Sequence, residues 1–77
     1  MDNVWLLVEE MNDWDIYIHA FSTEADAKQA MKKLKDYYED NNWTIDDEWS
    51  AHFRVVDRAW VFYEEYPIMK SFLDFNP

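Results

Sequence analysis

The sequence predicts an α+β fold: a single antiparallel β-sheet in the order β-β-α-β-β, followed by a short C-terminal helix, with one main amphipathic helix packed on one sheet face. Three observations predict it. Residues 14–21 alternate along the chain as a half-buried strand does. Ala27, Ala30, Met31, Leu34 and Tyr38 recur at i, i+3, i+4, i+7 and i+11, an apolar stripe that has to lie on another layer. The segments beyond the helix are rich in β-branched and aromatic residues and show no repeat or linker, so residues 1–77 read as one domain.

The first element is a hairpin. Residues 4–8 (Val-Trp-Leu-Leu-Val) and 14–21 flank a polar corner at residues 10–13, where Asn12-Asp13 supplies turn chemistry. Without Gly a two-residue type I′ loop is strained, which argues for a longer corner. In the second strand Trp14, Ile16, Ile18 and Ala20 share one face and Asp15, Tyr17, His19 and Phe21 the other; Ile16 and Ile18 are assigned to the helix side with Phe53, Val55 and Leu34. The opposite face then carries Tyr17, His19, Trp60 or Phe62 beside Asp15 and Glu64.

Ser22-Thr23-Glu24-Ala25-Asp26 opens the helix, because a hydroxyl caps free amides and the acids complement the positive dipole end. Lys28, Lys32 and Lys35 form a neighbouring stripe, and Asn41-Asn42 ends the helix. Residues 43–49 are polar and acidic, a loop or short edge strand. Residues 51–56 alternate as a third strand. Residues 59–63 form a fourth strand after a turn at Asp57-Arg58, or continue the third across a bulge. Residues 67–73 suit a terminal helix with Pro67 in its first turn.

Composition narrows the function. Seven Lys+Arg stand against seventeen Asp+Glu, a formal charge of −10, yet 49% of residues are hydrophobic and 19% aromatic, so the charge sits on a chain that folds. The absence of Gly removes phosphate-cradling loops, and the absence of Cys removes disulfides and thiolate chemistry and suits a cytoplasmic setting. The acidic start and the short apolar run at residues 4–8 match neither a leader nor a membrane span. So negative a field repels nucleic acid and anionic lipid, so neither is an expected partner.

Residues 1–22 carry −5, residues 23–42 carry −1 and residues 43–77 carry −4. A nearly neutral helix covering one face leaves negative potential on the other face and the sheet ends. Fifteen aromatics at about 150–250 Å² each are more than one helix on a small sheet can cover. Either the C-terminal segment folds over that face, as a small domain must use its apolar residues, or an acidic, aromatic patch remains exposed there as a partner site.

Glu9-Glu10, Asp13 with Asp15, Asp46-Asp47-Glu48 and Glu64-Glu65 are adjacent acids, but general acid–base work needs a cleft that separates their pKa values, and the chain is not expected to be an enzyme. No cofactor is expected. The spacing Asp36, Asp40, Asp47 departs from a calcium loop at Tyr38, Asn41 and Asp47, and His19 with His52 lack further spaced ligands, so no metal site is expected either. In an extended strand, residues two apart lie about 6.6–6.8 Å apart on one face, comparable with successive phosphates of a nucleic-acid strand. Asp13 with Asp15, and Asp46 with Glu48, take that spacing if extended. Such a ladder can occupy a Lys/Arg-lined groove in place of nucleic acid, as a DNA mimic.

The hairpin, then Phe21-Ser22-Thr23-Glu24-Ala25-Asp26-Ala27 opening an amphipathic helix, then further strands, resembles the very small acidic proteins encoded by phages and mobile elements. Among these are anti-CRISPR and anti-restriction inhibitors that block a nucleic-acid-binding site; acidic immunity proteins of nuclease toxins are similar in size and charge. The resemblance implies a non-enzymatic inhibitor acting in the host cytoplasm on a basic nucleic-acid-binding protein, a nuclease or defence effector. The expected partner-binding residues, read from the sequence itself, are Trp43 and Trp49 framed by Asp46, Asp47 and Glu48, with Asp13, Asp15 and Tyr17 in support. The alternative is a homodimeric interaction or immunity module that uses an aromatic sheet face.

Overall fold

The computed structural model describes residues 3–67. Its elements are β1 (Asn3–Met11), β2 (Ile16–Phe21), α1 (Glu24–Asp40), β3 (Ile45–Trp49), β4 (His52–Val55) and β5 (Ala59–Pro67). The strands form one antiparallel sheet in the order β2-β1-β5-β4-β3, and α1 packs across one face. The α+β architecture of the sequence reading is therefore the one observed, with an additional strand: residues 45–49 pair with β4 as an edge strand.

α1 begins where its chemistry dictates. The Thr23 backbone is extended and its Oγ1 accepts from the Asp26 amide at 3.2 Å, while Glu24 and Asp26 occupy the positive end of the dipole. Ala27, Met31 and Tyr38 are buried, and Ala30 and Leu34 pack around them. At the other end the Asn41 amide donates to the carbonyls of Tyr37 and Tyr38, and Asn42 takes a left-handed φ of 67°. Asn accepts that conformation more readily than most residues, so it closes a helix in a chain without Gly.

The sheet side of the core is set by cross-strand register. Leu7 lies opposite Tyr63, Phe53 opposite Val61 and Val55 opposite Ala59, and these six residues meet Ala27, Met31 and Tyr38 beneath the helix. Phe53, Val55 and Val61 are the largest fully buried side chains. The register between Leu7 and His19 then fixes β2. Tyr17, His19 and Phe21 turn toward the helix side, and Ile16, Ile18 and Ala20 turn away from it. The sequence reading had Ile16 and Ile18 facing the helix, and the structure reverses that phase: β2 is an edge strand with apolar residues on both faces, so its own alternation does not determine which face is covered.

Trp14 and Asp15 belong to the turn, not to β2. The Met11 amide donates to the Asp15 carbonyl at 2.8 Å and the Trp14 amide to the Met11 carbonyl at 3.1 Å. Trp14 has φ 75°, a conformation that costs a non-glycine residue about 1–2 kcal/mol. At Asp57, φ 61° allows the Arg58 amide to reach the Val55 carbonyl, so β4 and β5 are separate strands joined by a tight turn. The expected terminal helix lies outside the described residues except for Pro67, which ends β5.

One half-buried polar contact makes stability pH-dependent. The Tyr38 hydroxyl donates to Glu9 beneath the helix. Burial foremost, then that hydrogen bond and the Glu9 charge, push the Tyr38 phenol up to about 12. A phenol whose folded pKa exceeds its unfolded value of about 10 contributes its full stability below that pH and loses it as the pH climbs through the folded value. Tyr63, raised by burial and by Glu24, acts in the same direction. The urea midpoint is therefore expected to fall between about pH 10 and 12, less steeply in Tyr38→Phe. A wild-type midpoint that stays level through this window contradicts the assignment.

Candidate functional site: the uncovered sheet face

The face turned away from α1 is built of rows that cross the sheet. One row runs Ile16–Glu10–Trp60–Arg54–Asp46 through all the strands, and the next runs Ile18–Val8–Phe62–His52–Trp49. Beyond them Ala20, Leu6 and Glu64 align, then Val4 and Tyr66. Most positions are apolar; Val8 at the centre is buried and Val4, Leu6 and Phe62 are half-buried, while the positions toward the sheet edges are open. Ile16 is 57% exposed, Ile18 59%, Trp60 42% and Trp49 69%. Exposed apolar patches rimmed by polar residues mark interaction sites on soluble domains.

Aromatic rings organise its β5–β4–β3 side. The centroids of Trp49 and His52 lie 6.2 Å apart and those of His52 and Trp60 5.9 Å, both tilted. The Arg54 guanidinium stands 5.8 Å from the Trp60 ring centroid and makes a two-pronged contact with Asp46, Nε to Oδ1 at 2.7 Å and the terminal nitrogen to Oδ2 at 2.5 Å. Arg54 thereby holds the Asp46 carboxyl below the usual carboxylate range. Glu10, His52, Trp60, Phe62 and Glu64 line a shallow cleft of about 300 Å³ on this face. Glu64 accepts a hydrogen bond from the Tyr66 hydroxyl at 2.5 Å, which raises the Tyr66 phenol.

A larger cavity of about 610 Å³ lies on the helix side, between α1 and the β3–β4 hairpin, with Met31, Phe53 and Trp49 among its lining. The Lys35–Glu48 ion pair joins its two walls, and Glu48 raises the Lys35 ammonium.

The expected partner-binding residues fall in three places. Asp46 reaches the uncovered face, and Trp49, on the edge strand, meets His52 there while also lining the helix-side cavity. Glu48 pairs with Lys35 on the helix side, and Asp47, at φ 46° in the irregular stretch of β3, has Arg54 Nε 4.0 Å away. Trp43 stands at the far end of β3, its ring 5.2 Å from the Arg58 guanidinium and edge-on to Tyr38. Asp13 is near that end, lining a small cleft with Asp57 and Arg58. Tyr17 is on the helix side of β2.

The phosphate-like ladder is absent. Asp13 Oδ1 accepts from the Asp15 amide at 3.3 Å within the turn, so this pair is not extended. The register shift between Asp46 and Trp49 leaves Asp46 on Arg54 and Glu48 on Lys35, so these two do not form a free anionic row. His19 and His52 do not meet, since they lie on opposite faces with β1 and β5 between their strands. Among the described residues no group of three metal-ligating side chains converges, and no helix is long and apolar enough to cross a membrane.

Sequence reasoning placed Trp60, Phe62 and Glu64 on this face and missed Val4, Leu6, Val8, Glu10 and Arg54. The signal for the first three was present. The unbroken apolar run at residues 4–8 is the pattern of a strand apolar on both faces, not of one with a solvated side. No family model matches the chain, and no curated protein or solved structure matches it either.

Proposed function

We propose that this protein is a non-enzymatic binding module that docks its uncovered sheet face on a basic protein surface, of the kind nucleic-acid-processing proteins present to their substrates, and blocks that surface. The observation that supports this most directly is the exposed Ile16, Ile18, Trp49 and Trp60, with half-buried Val4, Leu6 and Phe62 between them, bordered by Glu10 and Glu64 on a chain of charge −10. The rings and aliphatic groups supply slow dissociation, and the surrounding negative field speeds encounter with a positive partner. The acids at residues 46–48 contribute to that field less than their number implies, because Arg54 and Lys35 offset them.

The test is capture of a purified basic nuclease panel at low and high salt, with duplex DNA as competitor. Binding that weakens with salt, and that DNA displaces, supports the reading; binding indifferent to both rejects it. A second copy is the less favourable occupant, since a two-fold contact centred on Phe62 sets Glu10 of one copy against Glu64 of the other. Sedimentation of a stable dimer would assign the face to a homodimer instead. Nuclear Overhauser contacts from residues 68–77 to Phe62 in the free protein would assign it to the chain itself and also reject the reading.

A further inference from the structure

We infer that the cleft of Glu10, His52, Trp60, Phe62 and Glu64 is an arginine-binding subsite, taking one guanidinium group from the basic partner; this deepens the docking reading above and rests on it. The face already shows the chemistry in cis. Arg54 sits over the Trp60 ring and forks onto Asp46, so one side of that indole stands in a guanidinium–carboxylate contact. By register Trp60 lies between Arg54 on β4 and Glu10 on β1, and Phe62 between His52 and Val8. The cleft repeats the same pair of ingredients, aromatic wall and carboxylate, on the other side of Trp60. Among the described residues neither Glu10 nor Glu64 has a basic partner.

The two carboxylates stand on either side of Phe62 along the sheet, one next to Trp60 and one next to Leu6. A planar cation can lie on the rings while its N–H groups reach one carboxylate and the other adds to the local negative field. Ring quadrupole and carboxylate both favour a positive charge there, and the surrounding apolar groups exclude water once a partner is seated, which strengthens both attractions. Guanidinium suits this better than ammonium, since it is planar, stacks on rings, sheds water more easily and offers several donors in a fixed fork. At about 300 Å³ the cleft has ample room for a single side-chain head, and its two carboxylates repel a phosphate.

The probe is a capped peptide, acetyl-Gly-Arg-Gly-amide, titrated into the ¹⁵N-labelled full chain, with the lysine and citrulline peptides alongside. Saturable shifts are expected at the Trp60 indole N–H and at the Glu10, Phe62 and Glu64 amides, with a dissociation constant of order 1 mM, as one contact on an exposed surface gives. The lysine peptide is expected to bind several-fold more weakly and the uncharged citrulline peptide not to saturate. Glu10→Gln with Glu64→Gln is expected to weaken the arginine peptide tenfold or more; both side chains are exposed, so the fold survives the change. Shifts spread evenly over the acidic residues, or equal binding by the double variant, overturn the assignment.

The outcomes separate this subsite from the docking reading. If Ile16→Gln with Ile18→Gln, which lie outside the cleft, abolishes capture of a basic partner while Glu10→Gln with Glu64→Gln leaves it unchanged, docking stands and the arginine subsite falls. If the isoleucine variant leaves capture unchanged, the docking reading falls whatever the peptide does.

Discussion

Phe53→Ala is expected to remove about 3–5 kcal/mol of stability, the range for deleting a fully buried aromatic ring. Phe53 is 1% exposed and stands opposite Val61, with Val55 and Met31 in the same cluster. Those neighbours belong to a sheet whose hydrogen bonds hold it in place and to a helix, so they cannot collapse into the space. For a domain of this size each kcal/mol shifts the melting temperature by about 4–8 °C, which puts the variant at least about 12 °C below wild type by calorimetry. As small domains hold only about 5–15 kcal/mol in all, it sits near the limit of folding at 37 °C. A drop under about 5 °C would mean that Phe53 is not the centre of the core.

Ile16→Gln with Ile18→Gln is expected to show the opposite profile. Both side chains are more than half exposed on an edge strand, so the melting temperature should stay within a few degrees of wild type. Were the two residues beneath the helix, as alternation along β2 alone suggested, each change would cost as much as a core deletion. Docking should suffer instead. Two isoleucines with a little over half of their surface still to bury against a partner contribute about 1–1.5 kcal/mol each, so a loss of tenfold to a hundredfold in affinity for a captured basic partner is expected. Surface plasmon resonance should place that loss mainly in the dissociation rate. An unstable variant, or one that binds as tightly as wild type, would move the site off this face.

The same contrast shows what could be read without coordinates. The helix was legible to within a residue at its start, because Thr23, Glu24 and Asp26 act through local hydrogen bonds and dipoles that need no tertiary context. The inward phase of β4 was legible as well, because Phe53 and Val55 alternate with the polar His52 and Arg54. The phase of β2 was not legible, because it is inherited from Leu7 across the β1 pairing. The acidic loop misled for a related reason. Asp46 meets Arg54 only through hairpin register, and Glu48 meets Lys35 only once the helix lies beside β3. A count of carboxylates carries neither fact. The Asp13–Asp15 spacing failed on one dihedral angle, the left-handed Trp14, which side-chain type gives no reason to expect.

The left-handed turns have a consequence for recognition. With Trp14, Asn42, Asp47 and Asp57 doing what glycine does elsewhere, the loops keep side chains at every position and the denatured chain has fewer shapes open to it. Little loop freedom is left for a partner to freeze, so beyond the translational and rotational loss common to every complex, the ordering that association demands falls mainly on side chains.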